Sequence, residues 1–371
     1  MSRRYGACGF NNNNISVYSS ATLSNSGWRV ETLDAVPRAA RAVGEYWQPN
    51  FEFNPNTHKY VLWWLYSKPG TTLGLVQVGV ADTPAGPFAI VNRNVSLAYK
   101  SFTSANLFVD RPLVGGESRD PGTKAANPVP AYLMYSSFRD PAKSGKFPGT
   151  AVIQRLDDSW TRTAAPAQHS GQFGVGEAGV AFRWDSPTGD RTIYYALEGY
   201  GCCFCPTGSD LIAWRSPTPL GPWTKVRGAH SINPPWPSPS PSPPASPAAA
   251  ATATPRPPTP PPPASPCHGG CQTGTCCVPR YYELPTAQQG VTPLPPAVRS
   301  SQPPAKGCEG GMVMWSGDAW QQAPDDRKEH DPQWWVPLCF NVDGVIGNLT
   351  AMKQWTVSGP FVSRRPRKTA R

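Results

Sequence analysis

The most reactive side chains in this sequence are ten cysteines, and their spacing is uneven. Cys202, Cys203 and Cys205 form one group, Cys267, Cys271, Cys276 and Cys277 a second, and Cys8, Cys308 and Cys339 stand apart. Thiolates this close together can hold zinc, but the series Cys267-x3-Cys271-x4-Cys276 lacks the paired Cys-x2-Cys knuckles of structural zinc sites. Disulfides are the favoured reading and buried free thiols the remaining one; spacing does not decide the connectivity. Three further tripeptides, starting at Asn14, Asn94 and Asn348, have the form that accepts an N-linked glycan. Together with the cysteines they point to the secretory route and an extracellular protein. No signal peptide is seen in this chain, because Met1 to Tyr5 has no apolar core. No stretch approaches the ~18 apolar residues of a membrane span, so no membrane partner is expected.

A formal charge of +10 suggests a polyanionic partner at first sight, yet half of it sits in the tail at Arg364, Arg365, Arg367, Lys368 and Arg371. Residues 363–371 read as a solvated basic tail. No nucleic-acid-binding motif accompanies it, so no nucleic-acid partner is expected.

The elements that must position any site are strands. An aromatic-rich apolar run recurs at Lys59 to Trp64, Ala131 to Tyr135, Thr192 to Ala196 and Met312 to Trp315. One phrase also occurs twice: Ala81-Asp82-Thr83-Pro84-Ala85-Gly86-Pro87-Phe88 and Ser216-Pro217-Thr218-Pro219-Leu220-Gly221-Pro222-Trp223. Each copy follows an aliphatic run and carries Pro, which fixes φ, and Gly, which supplies positive φ, so each is a turn between strands. Repeats at intervals of about 40 to 50 residues or more, with no helical period between them, are the pattern of a β-propeller. Strand alternation places Trp63 and Trp64 one inward and one outward. The organisation expected is one all-β propeller over residues 1–362. It is interrupted at 234–266, where 16 of 33 residues are proline. Such a segment buries no core and is read as a disordered surface insertion, tolerable because loop-closure entropy grows only logarithmically with length.

Several strings then match a known family in order. Ile15 to Ser20 with Trp28, Trp47 to Trp64, Leu107 to Asp110, Gly176-Glu177-Ala178, Gly201 to Cys205, Leu220 to Trp223, Trp315 to Asp325 and His330 to Trp335 are the carriers. On these the chain resembles the five-bladed propellers of glycosyl hydrolase family 43, and within them the branch of galactan 1,3-β-galactosidases. The likeness runs from about residue 8 to 360, the proline tract excepted. It implies an inverting, exo-acting glycosidase on a β-linked glycan, working as a monomer on an oligosaccharide or polysaccharide.

Such chemistry needs a protonated carboxyl at the leaving oxygen and a group that positions water on the other face of the sugar. The resemblance makes Glu177 the acid; its neighbours Gly176, Ala178, Gly179, Val180 and Phe182 suit a partly desolvated carboxyl. It makes Gln302 the water-positioning group, a neutral amide where other glycosidases use a carboxylate. Trp47, Trp320 and Trp334 are aromatic platforms for a pyranose ring, with Gln48 beside the first. Asp318 and Asp331 are acceptors for sugar hydroxyls. Some relatives hold Ca²⁺ in the channel, but no acidic cluster in this sequence demands it and no cofactor is assigned.

Two departures stand against turnover. Ser104 occupies the place where relatives carry an acid-tuning Asp, and the family's His- and Gly-rich opening strand is absent, leaving the first blade incomplete at the N-terminus. They motivate the alternative of a catalytically impaired, carbohydrate-binding propeller. The Ser-Pro tract motivates another, a structural protein of the extracellular matrix.

Overall fold

The structure is a computed structural model that describes residues 4–8, 15–20, 28–69, 74–99, 102–111, 127–138, 149–164, 168–174, 176–186, 188–201, 209–226, 290–293, 308–309, 312–318 and 333–347. Among these residues, strands form five antiparallel sheets, each a meander in chain order. The first holds β1 (Arg4–Cys8), β2 (Ser16–Ser20) and β3 (Trp28–Thr32). The second holds β4 (Glu45–Asn54), β5 (Lys59–Ser67), β6 (Gly74–Ala81) and β7 (Ala89–Asn92), after a single 3-10 turn at Arg38–Ala40. The third is built from β8 (Phe102–Val109), β9 (Ala131–Phe138) and β10 (Gly149–Arg155). The fourth comprises β11 (Glu177–Asp185), β12 (Thr192–Gly201), β13 (Ser209–Ser216) and β14 (Thr224–Lys225), and the fifth β15 (Gly290–Pro293), β16 (Met312–Asp318) and β17 (Gln333–Cys339).

Met1–Pro234 and Tyr282–Arg371 group as one unit and Pro235–Tyr281 as another. The second unit, with nearly all of the tract at 234–266, lies outside the described residues, as does the tail at 363–371.

The recurrent aromatic run is the second strand of each of the last four sheets: β5, β9, β12 and β16. In β5, β9 and β12 the residues are apolar without alternation because both faces of the strand are buried. Trp63 and Trp64 do point to opposite faces, but each is only 1 % exposed, which corrects the expectation that one would lie outward. Trp63 joins Leu65, Leu107, Leu133 and Trp160 between the second and third sheets. Trp64 joins Ile15, Val17, Tyr46 and Phe88 between the first and second. Phe108, Tyr132, Ile153 and Ala196 fill the space between the third and fourth sheets, and Phe182, Leu197, Val313 and Phe340 that between the fourth and fifth. Each core cluster thus cements two successive sheets face to face.

The first strands of successive sheets are neighbours: β1 lies against β4, β4 against β8, β8 against β11 and β11 against β15. This corrects the expectation of a missing opening strand. Arg4–Cys8 pairs along its length with Ser16–Ser20 and takes the innermost place in the first sheet, although its sequence holds no His.

The duplicated phrase makes the same turn twice, at the passage from third to fourth strand of the second and fourth sheets. Thr83 Oγ1 donates to Gly86 O at 2.7 Å and Thr218 Oγ1 to Gly221 O at 2.5 Å. The return bonds, Gly86 N–H to Thr83 O and Gly221 N–H to Thr218 O, span 3.0 and 3.2 Å. Both glycines have φ values, +84° and +103°, that a side chain would strain.

Trp63→Ala opens a cavity between two sheets and is expected to cost about 3–5 kcal/mol, whereas Val30→Ser, at an exposed position, stays within about 0.5 kcal/mol of wild type. Denaturant unfolding of the two variants checks the contrast.

Candidate active site

Three innermost strands carry one extra residue near their beginnings. The step from Trp47 to Asn50 on β4 faces only Leu65 to Trp63 on β5. The step from Phe102 to Ala105 on β8 faces Ser137 to Tyr135, and that from Glu177 to Val180 on β11 faces Gly199 to Leu197. A bulge of this kind shifts the side-chain phase and re-aims the residues beside it. The three bulges lie at one level, because their backbones and amides are joined in series. Ala105 N–H donates to Gln48 Oε1 at 3.3 Å, and Gln48 itself has a φ of +46°. Asn50 Nδ2 donates to Asn106 Oδ1 at 3.4 Å, and Asn106 Nδ2 donates to Gly179 O at 2.7 Å.

Within this frame the sequence candidates fall as follows. Glu177 opens β11 at its bulge, with its backbone in register with Gly199. Gln48 sits on the β4 bulge and bridges to β8. Trp47 is half-buried against the cluster between the second and third sheets, so at least part of its surface serves packing. Asp318 ends β16 in register with Gln333, and Trp334 is in register with Gly317, so both positions lie at one end of the fifth sheet. Because β16 runs antiparallel to β15, that is the end at which β15 begins, as β11 begins at Glu177. Gln302, Trp320 and Asp331 lie outside the described residues.

Of the cysteines, Cys308 and Cys339 form a disulfide with Cα atoms 4.6 Å apart, which ties the end of β17 to the segment before β16. Cys202, Cys203, Cys205, Cys267, Cys271, Cys276 and Cys277 lie outside the described residues.

No family model matches the chain, and no curated protein matches it in sequence. Solved structures do. A thermostable family-43 glycoside hydrolase matches 97 % of this chain over 91 % of its own, with a TM-score of 0.55 at 15 % identity. The fold is that of the family-43 glycoside hydrolases. A family-43 β-1,3-galactosidase with galactodeoxynojirimycin is similar over 95 % of this chain and 91 % of its own, with a TM-score of 0.54 at 16 % identity. An exo-β-1,3-galactanase variant from Phanerochaete chrysosporium with β-1,3-galactotriose is similar over 95 % of this chain and 61 % of its own, with a TM-score of 0.55 at 17 % identity.

Set in this family-43 fold, Ser104 is 2 % exposed and shares a 2.8 Å hydrogen bond with Ser136, so a pair of buried hydroxyls fills the place where the resemblance calls for an acid-tuning carboxylate. A second acidic residue, unmarked by any motif in the sequence, lies near the start of β11. Glu198, on β12, is fully buried beside the segment that leads into β11. A Cβ at Gly174 would collide with its Oε2, and Gly174 takes a φ of +72°. The only trace in the sequence is one acidic residue inside the otherwise apolar run Tyr194 to Leu197 and onward.

A chain of charges, also without a motif in the sequence, runs at the far ends of the same inner strands. Glu52 meets Arg111 at 3.8 Å across the second and third sheets, Asp110 meets Arg183 at 3.4 Å across the third and fourth, and Arg191 meets Asp343 at 3.7 Å beyond. Asp110 also accepts from Tyr194 Oη at 3.0 Å. Burial pushes the Asp110 carboxyl above its ordinary value of 3.8, outweighing the hydrogen bond from Tyr194 and the charge of Arg183. Burial, with Asp110 alongside, likewise pushes the Tyr194 phenol up.

A carboxyl raised in the folded state binds its proton more tightly there than in the unfolded chain. Its contribution to stability is therefore complete below 3.8 and is lost as pH rises through the raised value. Thermal unfolding of wild type and Asp110→Asn, followed from below 3.8 to neutrality, is expected to show the wild-type advantage shrinking as pH rises. A constant difference across that range would contradict the assignment.

Proposed function

We propose that the chain is an inverting, exo-acting glycoside hydrolase that removes galactose, or another pentose or hexose, from the end of a β-linked glycan. The observation that carries this reading is the alignment of bulges on β4, β8 and β11, with Glu177 on one of them and a bridging side chain, Gln48, on another. Bulges set side by side on innermost strands re-aim side chains at one end of the sheets, which is what a site assembled from distant segments requires. The similar folds that hold a galactose-like iminosugar and β-1,3-galactotriose support galactan as the substrate class.

In this reading the five sheets are the blades of one propeller, interrupted by the tract at 234–266. Glu177 donates a proton to the glycosidic oxygen while Gln302 orients a water on the opposite face, the two groups standing roughly 6.5–9.5 Å apart. Asp318 and Asp331 accept sugar hydroxyls, and Trp47, Trp320 and Trp334 offer flat apolar faces. Acid and water complete the reaction without a cofactor, and the protein works outside the cell as a monomer. A second reading, a propeller that binds glycan without cleaving it, is favoured by one observation, the buried hydroxyl pair at Ser104 and Ser136.

Incubation with β-1,3-galactan and a set of aryl glycosides separates the two. Hydrolysis by wild type, with the sugar released first as the inverted anomer by NMR, is the expected result. Glu177→Gln should lower kcat on galactan by about 10²–10⁴-fold and less on aryl glycosides, whose leaving groups need little protonation. Equal release by both proteins removes Glu177 from the mechanism, and binding with no release by wild type selects the second reading.

A further inference from the structure

Asn94 stands just after β7, the outermost strand of the second sheet. Its neighbours are tied down. Asn92 donates from Nδ2 to Thr161 O at 3.2 Å and accepts the Asn94 N–H at 3.1 Å. The Arg93 guanidinium donates to Ala40 O at 2.8 Å. Val95 is 3 % exposed, part of the core between the second and third sheets, and its N–H donates to Val76 O at 3.0 Å. Asn94 and Ser96 are both exposed. Val95 is thus held inward while the residues on either side of it, Asn94 and Ser96, face solvent. No hydrogen bond among the described residues uses the Asn94 side chain.

The surface beside it has a need of its own. Among the described residues β7 ends its sheet with no strand paired to its far side, and an unpaired strand edge is a template for pairing with another chain. Val91 on that strand is 47 % exposed. Independently, the Cys308–Cys339 disulfide belongs to an oxidising compartment, where N-linked glycans are added.

We propose that Asn94 carries an N-linked glycan and that this glycan covers the open edge of the second sheet. The donor is an oligosaccharide linked through pyrophosphate to a lipid. The Asn94 Nδ2 forms a bond to C1 of its first sugar, the C1–O bond to pyrophosphate breaks, and the lipid pyrophosphate leaves with the electron pair. One amide proton passes to a base of the transferase, which reads the Ser96 hydroxyl together with the amide. The glycan grows from the strand farthest from β4, so it stays clear of Trp47 and Gln48.

The test is expression of the full chain behind a secretion leader in eukaryotic cells. The secreted protein is then deglycosylated by an amidase in water labelled with heavy oxygen, and the peptide holding Asn94 is read by mass spectrometry. Labelled Asp at position 94 in most molecules is expected, together with its loss in Ser96→Ala and its retention in Ser96→Thr. Asn94→Gln should lose one glycan in mass, keep its circular dichroism, and raise the aggregated fraction on heating about twofold or more. An unmodified Asn94 in secreted wild type, or modification that survives Ser96→Ala, overturns the site. Aggregation of Asn94→Gln equal to wild type overturns the covering role.

Discussion

Everything in this molecule depends on sheets being buried on both faces. Each sheet has only three or four strands, and apolar side chains on the two faces of an interior one go into two different cores. Here the second sheet presents Trp64 and Leu62 to the first sheet and Trp63 and Leu65 to the third. The same sharing continues through Phe108 and Tyr132 to Phe182 and Phe340. Every sheet in the interior of the series is therefore a wall common to two cores, and the innermost strands are brought side by side as a result.

Those neighbouring strands are joined by polar groups where apolar packing thins out. At their beginnings Gln48, Asn50 and Asn106 reach from one strand to the next and end on Gly179 O. At their far ends the links are ionic, through Glu52, Arg111, Asp110 and Arg183. Neutral amides at one rim and paired charges at the other leave the two rims with different electrostatic character. The bulges belong to the amide rim, where Glu177 begins its strand.

Much of the architecture was legible because the second strand of each sheet repeats the same physical demand. A strand covered on both sides must be apolar throughout, and Lys59 to Trp64 and its counterparts announce it. The Thr-Pro-x-Gly-Pro phrase was legible for the same reason, since the turn needs a rigid φ and a positive one in fixed order. Other features left little trace. Arg4–Cys8 is short and mixed in character, so nothing in its composition marks it as an innermost strand. Bulges depend on pairing between distant residues and cannot be read from one segment. Glu198, Asn106 and Asp110 acquire their surroundings only when strands far apart in sequence meet.

The order of the sheets along the chain has a consequence for synthesis. Val180, Phe182, Leu197 and Leu211 on the fourth sheet are sealed by Val313, Leu338 and Phe340, which leave the ribosome only after the whole segment 235–281 has been translated. A growing chain at that stage holds four sheets with one greasy wall open to the cytosol or lumen. Chaperones that recognise exposed aromatic surface would meet it there, and the intervening stretch 235–281 lengthens that encounter.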